Sequence, residues 1–358
     1  MRILVTGGAG FVGSRLCLLL RTAEPNAEIV ACDNLKRRGA ELNLSLFTTH
    51  NITFVHGDVR SQNDLDNLPG GAFDWVIDGA AEPSVHAGTS GSPTYVLETN
   101  LLGTLNLLEM VRKRGGCGAF LFLSTSRVYS IAPLRRIALD ETDTRFVVAP
   151  TQIDSGVSVE GIAETFPTDT PRSLYGASKL ASELVVQEYA ETYKLPAVIN
   201  RCGVIAGAGQ FGKVDQGVFT LWVANHYFGK PLRYTGFGGT GKQVRDLLHP
   251  DDLYALLRMQ IAQIDTCRGD VFNAGGGHAV STSLTELTAL CQGATGNTVP
   301  IAAEASTAAV DIPYYVSDSA KATAHFGWKP QKNVTDIVTE IAAWLQTNET
   351  ALRPLFAM

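Results

Sequence analysis

The stretch Thr6-Gly7-Gly8-Ala9-Gly10-Phe11-Val12-Gly13 restricts this chain more than any other. Arg2 to Thr6 before it reads as a short buried strand, and the apolar run after it reads as a helix. Gly7, Gly10 and Gly13 are spaced G-x-x-G-x-x-G. The first permits a tight turn, the second lets backbone approach a pyrophosphate, and the third lets helix and strand pack closely. The helix N-terminus offers free N–H groups and about half a positive charge to phosphates. This is the opening of a dinucleotide-binding fold, with Gly7, Gly10, Phe11, Val12 and Gly13 as candidate contacts.

The next hundred residues repeat the alternation. A strand over Glu28 to Cys32 ends at Asp33-Asn34, the distance expected of a carboxylate that binds a ribose 2′-hydroxyl. A carboxylate there repels a 2′-phosphate, which favours NAD over NADP. Lys36-Arg37-Arg38 either accepts that phosphate or forms a solvated loop. A third strand, Ile52 to His56, leads to Asp58-Val59, where Asp58 either meets an adenine edge or is a loop aspartate. A fourth, Asp74 to Asp78, leads into Gly79-Ala80-Ala81-Glu82, whose small residues let a cofactor lie against the backbone. A helix from about Pro93 to Lys113 contains Asn100, and a fifth strand, Ala119 to Leu123, ends in Ser124-Thr125-Ser126. Strands and helices in this order predict an α/β fold with a doubly wound parallel sheet. Ligands collect at the carboxyl ends of such strands, where Asp33, Asp58, Ala80, Ala81, Ser124 and Thr125 all fall.

Residues 131–170 lose periodicity and read as an elaborated loop. Ser173-Leu-Tyr-Gly-Ala-Ser-Lys179 then opens a helix that runs to about Tyr193, followed by a sixth strand over Pro196 to Asn200. Tyr175 and Lys179 stand one helical turn apart and share a face. An ammonium there favours the ionised phenol and lowers its pKa from about 10, so that Tyr175 can act as a general base. Thr125 adds a hydroxyl at a strand end, either beside that pair or as a turn cap. Glu82 and His86 either face a substrate or lie in a solvated loop. Trp222, Tyr227, Phe228 and Tyr234 read more readily as core than as a stacking surface, and His249 and Cys202 as structural.

Composition closes off other classes. The 358 residues carry a formal net charge of −6, which argues against a nucleic-acid surface or an anionic membrane. Six scattered cysteines without a Cys-x-x-Cys point away from disulfides and zinc, and towards a cytoplasmic protein. No window approaches a membrane span and no N-terminal leader is evident.

Taken together, Thr6–Gly13, Asp33, Asp58, Asn100-x-x-Gly-Thr, Ser124-Thr-Ser-Arg-Val-Tyr129, Tyr175-Gly-Ala-Ser-Lys179, Val271–Gly277 and Phe326–Pro330 resemble the extended short-chain dehydrogenases/reductases, the nucleotide-sugar epimerase and dehydratase family. Three stretches resemble its CDP-paratose (CDP-tyvelose) 2-epimerase branch: Asp33–Leu35 with Arg38–Leu44, Gln210-Phe211 with Asp215-Gln-Gly217, and Gly241–Asp246. The resemblance implies a Rossmann domain over 1–180, with returning segments near 196–204 and 232–260, and a smaller C-terminal α/β substrate domain over 205–231 and 261–358. It implies tightly held NAD, a CDP- or UDP-linked sugar as substrate, and a homodimer built on the Asn100 and Tyr175 helices. Tyr175 is then the base, Lys179 its tuner and a ribose ligand, and Thr125 a partner of the substrate hydroxyl. Glu82, Ser126, Gln210, Gln216 and Arg245 are candidate substrate contacts, Arg245 through the diphosphate.

The chain departs from the family in telling places. Dehydratases carry Asp-Glu directly after the catalytic threonine, where this chain has Ser126-Arg127. A second family arginine falls at Ala308, a glycine falls at Ser130, and Gly203 replaces a polar residue. The expected activity is epimerisation through a transient keto-sugar. The alternatives are a 4-epimerase, or a net oxidoreductase or decarboxylase on the same fold.

Overall fold

Ile3, Leu4 and Val5 lie wholly buried in β1 (Arg2–Thr6), as the apolar run requires of a strand covered on both faces. The chain turns at Gly7, whose φ of 64° suits a glycine, into α1 (Phe11–Ala23). A Cβ on Gly13 would stand 2.2 Å from the Gly7 carbonyl oxygen, so only glycine lets α1 start this close to the strand. The computed structural model describes residues 1–88, 91–211 and 217–356.

The central sheet is completed by β2 (Glu28–Asp33), β3 (Thr53–His56), β4 (Trp75–Asp78), β5 (Ala119–Thr125), β6 (Ala197–Cys202) and β7 (Val271–Ala274). Their spatial order is β3-β2-β1-β4-β5-β6-β7, with β3 through β5 parallel. Strand order therefore reverses beside β1, where a doubly wound sheet opens its ligand crevice. The fold class read from the sequence is the one observed.

Two compact units share the chain. One comprises Met1–Val128, Ser173–Arg201 and Leu253–Phe272, and the other Tyr129–Arg172, Cys202–Asp252 and Asn273–Met358. Residues 129–172 and 232–252 fall in the second unit and 261–272 in the first, whereas the sequence assigns the former to the Rossmann domain and the latter to the substrate domain. The second unit is built around a strand at Val244–Leu248, flanked by short strands at Val204–Ile205, Ser281–Ser283 and Tyr314–Tyr315. Helices Val218–Tyr227, Leu284–Thr295 and Val334–Thr347 bury Phe219, Val223, Leu287, Ile337 and Ile341 in its core. Ser283 with Glu286 and Asn333 with Asp336 form capping boxes that start two of them.

Two local expectations need correction. Residues 131–170 are not plain loop: they hold a helical turn at Ile131–Arg135 and two small antiparallel hairpins, Leu139–Glu141 with Phe146–Val148 and Val157–Ser158 with Gly161–Ile162. Strands of two or three residues are too short for a periodic signal. The helix expected over Pro93–Lys113 is interrupted by a π-helical turn at Glu98–Leu102, which leads into α2 (Gly103–Lys113). Gly103 is required there, because a Cβ would stand 2.6 Å from Cγ2 of Val59.

The helix that carries Tyr175 is α3 (Leu174–Thr192), whose N-cap Ser173 Oγ accepts the Gly176 N–H at 3.1 Å. Its buried stripe is largely polar: Tyr175, Ser178, Lys179, Ser182 and Glu183 precede Val186 and Ala190. Each polar member therefore needs a partner. Glu183 takes Nε and Nη2 of Arg201 on β6 at 3.1 and 2.8 Å, and the Ser124 hydroxyl at 2.5 Å. Replacing Arg201 by methionine leaves the Glu183 carboxylate buried without its counter-ion, with only the Ser124 hydroxyl as partner. The variant should lose about 3–5 kcal/mol of stability, whereas Arg353→Met, at an exposed pair, should cost under about 1 kcal/mol. Urea denaturation of the two variants checks the contrast.

Candidate active site

In the first unit the cofactor candidates gather around the glycine turn. A Cβ on Gly7 would lie 2.8 Å from the Gly79 carbonyl oxygen, so the turn rests against the strand end that carries Ala80 and Ala81. The Ala80 N–H donates to Thr6 Oγ1 at 3.2 Å. The N-cap of α1 is Gly10, so no side chain caps the helix, and its first turn holds no acidic residue. That is the donor set a pyrophosphate needs. Phe11 and Val12 are the first two residues of this helix.

Asp33 is aimed by the same turn. Its Oδ2 accepts the Ala9 N–H at 3.1 Å and its Oδ1 the Leu35 N–H at 2.8 Å. Burial pushes its carboxyl above the ordinary range, partly offset by these amides. Asn34 donates to Asp58 Oδ2 at 3.0 Å, which joins two candidates that lie on different strand ends. Asp58 also accepts Arg60 Nη2 at 2.7 Å, and this guanidinium holds its carboxyl down to about 2. Asn34, Asp58 and Arg60 line a cavity of about 280 Å³ together with Lys36, His56, Gly57 and Asp64. Lys36 Nζ lies 3.3 Å from the centre of the Tyr95 ring, and the Arg60 guanidinium carbon 4.8 Å. Tyr95 thus gathers cations from the β2 and β3 loops. Val59 packs on Gly103.

Asn100 sits in the π-helical turn and is wholly buried. Its side chain accepts the Glu82 N–H at 2.8 Å and donates to the Glu82 carbonyl at 3.2 Å and to Ser178 Oγ at 2.9 Å. Its carbonyl oxygen lies 2.9 Å from the hydroxyls of both Thr104 and Ser182. The residue therefore fastens the loop after β4 to α3. Glu82 enters this arrangement through its backbone.

Tyr175 and Lys179 are buried on α3, 8% and 1% exposed, and the Lys179 ammonium stands 3.9 Å over the Phe122 ring of β5. Thr125 ends β5, and its Oγ1 accepts the Arg127 N–H at 3.2 Å. It is therefore a turn cap, a role compatible with a hydroxyl that also faces substrate. Ser124 is tied to Glu183, and Ser126 is buried in the turn Ser126–Val128 against which α3 packs.

The remaining candidates lie in the second unit. Gln210 donates to the Ile205 carbonyl at 3.0 Å and accepts the Thr220 hydroxyl at 2.6 Å, so its amide is engaged locally. Arg245 donates to the carbonyls of Val244 and Ile312, each at 2.7 Å. Gln216 falls outside the described residues. The four aromatics form core: Trp222 stacks on Tyr234 at 5.7 Å and donates to Thr288, Tyr227 bonds Glu349, and Phe228 packs on Phe356. His249 meets Glu340 at 3.1 Å, a structural contact.

Two residues had no sequence signal. Asp78 is buried at the end of β4, where it accepts the hydroxyls of Thr6 and Thr104. Arg135 donates to the carbonyls of Asp311 and Ala308 at 2.8 and 2.7 Å, which brings a guanidinium to the turn where the expected second arginine is absent.

The model of the NAD dependent epimerase/dehydratase family matches residues 3–275. The chain belongs to this family. It is 32% identical to the CDP-paratose 2-epimerase of Salmonella typhi, with 96% of this chain and 99% of that protein aligned. It is 29% identical to a dTDP-glucose 4,6-dehydratase of Actinoplanes, over 98% and 99%. Among solved structures, the dTDP-glucose 4,6-dehydratase of Bacillus anthracis, determined in complex with NAD, superposes with a TM-score of 0.75 at 26% identity, over 99% of each chain. The enzyme is NAD-dependent, and the uncapped α1, the close glycine turn and the aimed Asp33 fit that cofactor. Among the described residues no helix is long and apolar enough to cross a membrane, and no group of side chains could hold a metal ion.

Asp33 is the candidate ribose acceptor, and its replacement by alanine tests that role and the repulsion of a 2′-phosphate. NAD should bind about tenfold more weakly, near 1.4 kcal/mol, and the preference over NADP should shrink. Isothermal titration of both dinucleotides measures this.

Proposed function

We propose that this enzyme epimerises a nucleotide-diphosphate sugar by oxidising one carbinol carbon to a ketone and reducing it from the opposite face. The observation that carries this reading is the turn after β5. Thr125 is followed by Ser126 and Arg127, so the Asp-Glu pair expected of a family dehydratase is missing. What the unit offers instead is a phenol, an ammonium and a hydroxyl, which is enough for reversible carbinol oxidation.

NAD, when bound, supplies the reversible hydride acceptor. Tyr175 takes the hydroxyl proton of the sugar, holds it as the phenol, and returns it to the carbonyl oxygen at reduction. Lys179 favours the phenolate by its charge. The Thr125 hydroxyl donates to the reacting oxygen. The hydrogen on carbon leaves without its electrons remaining behind, so no second base is needed.

The substrate we assign is CDP-linked and of the paratose type, inverted at carbon 2. The likeness to the Salmonella typhi enzyme along nearly its whole length supports this choice, as does the Gly241–Asp246 segment. We further assign a homodimer through the helices of Asn100 and Tyr175, which expose Leu97, Leu102, Leu174 and Leu184.

The test uses CDP-paratose deuterated at carbon 2, followed by proton NMR. Inversion should occur with the label retained and without net change in NADH absorbance. Label washed out into solvent, or stoichiometric NADH with released ketone, sinks the proposal. Tyr175→Phe should lower kcat by about 10²–10⁴-fold.

A further inference from the structure

We infer that Asp78 is the buried counter-ion of Lys179, a positioning residue that keeps its ammonium charged and in place beneath Tyr175. The inference rests on the reading of Tyr175 and Lys179 given above and adds a residue to it. Asp78 pairs in register with Thr6 on β1 and with Phe122 on β5. Residues so paired point their side chains to one face of the sheet. Phe122 is the ring over which the Lys179 ammonium stands, at 3.9 Å. On that same face Asp78 Oδ1 accepts the Thr6 hydroxyl at 2.9 Å and Oδ2 the Thr104 hydroxyl at 2.8 Å. Two buried groups of opposite charge, 2% and 1% exposed, thus occupy neighbouring places under α2 and α3.

An ammonium this deeply buried needs an anion, because an aromatic face compensates only part of its lost hydration. The other charges on the elements packed around α3 are committed elsewhere. Glu183 is held by Arg201, Glu98 lies 3.7 Å from Arg60, and Glu109 pairs with Arg112. Strand β5 carries no charged residue, and Arg127 on the turn after it has the same sign as Lys179. Burial holds the Asp78 carboxyl above the ordinary carboxylate range, and the charge of Lys179 is the first of the influences that oppose that rise. The two hydroxyls stabilise its ionised form. Its position is also useful. The residues that follow it, Gly79 and Ala80, rest against the glycine turn, so one strand end sets both the cofactor cradle and the charge of the lysine.

The experiment titrates the amine itself in the full-length protein. Lysine labelled with carbon-13 at Cε is followed by NMR across pH, and the Lys179 signal is assigned by its loss in Lys179→Met. In Asp78→Asn the Lys179 midpoint should fall by about one pH unit or more, since burial without a counter-ion disfavours the ammonium. Asp78→Glu should restore most of it. The alkaline limb of kcat/KM should move to lower pH in step, which a purely structural loss would not produce. An unchanged Lys179 midpoint in Asp78→Asn overturns the inference. Should that variant not fold, carboxyl-carbon NMR of Lys179→Met decides: the Asp78 midpoint should rise, and no rise overturns the inference equally. These titrations need no substrate. A failure of epimerisation leaves them interpretable, and a failure here leaves the Tyr175→Phe outcome untouched.

Discussion

The ion pair of Arg201 with Glu183 decides where α3 can sit. It bridges the helix to β6 with two nitrogens on one carboxylate, and the hydroxyl of Ser124 closes the same group from β5. Such a pair contributes little net stability once both charges have left water, but its geometry admits few alternatives. Tyr175, Lys179 and Glu183 succeed one another at single-turn intervals. Fixing Glu183 therefore fixes the rotation of the helix, and with it the direction of the phenol. Ser178 and Ser182 add two further ties, to the side chain and carbonyl of Asn100.

The other end of the site is ordered by backbone rather than charge. Gly13 and Gly7 meet at a separation that excludes a Cβ, and Gly7 in turn meets Gly79. Helix, turn and neighbouring strand are locked by contact between main chains, and Asp33 then reads the position of that turn through the Ala9 amide. The first unit thus joins a rigid glycine turn, which fits a dinucleotide, to a network of side chains around α3. The hydride shift proposed above would ask for both, because the reacting carbon must be held in register with the ring while the proton moves on a separate path.

What was legible in the residues and what was not divides along the same line. The glycine turn, Asp33, the Tyr175–Lys179 pair and the alternation of strands and helices are local patterns, and each could be read from spacing alone. Asp78 could not, because its meaning depends on Thr6, Phe122 and Thr104, which only sheet register and helix packing bring to it. Arg135 depends on a turn some 170 residues further on, at Ala308 and Asp311. The hairpins within 131–170 escaped because strands of two or three residues leave no periodicity to detect. The Lys36-Arg37-Arg38 run reads from the sequence as a phosphate acceptor or a solvated loop, and the contact of the Lys36 ammonium with the Tyr95 ring is one no spacing rule anticipates.

The first unit is assembled from three separate lengths of chain, and this has a bearing on biosynthesis. Its sheet lacks β6 and the Arg201 partner of Glu183 until the third hundred residues begin, and its last segment ends at Phe272. A nascent polypeptide leaving the ribosome can form the N-terminal βα units early, but the sheet edge stays unfinished until β6 and the segment ending at Phe272 have been made. Neither unit can be recovered by a single cut in the gene.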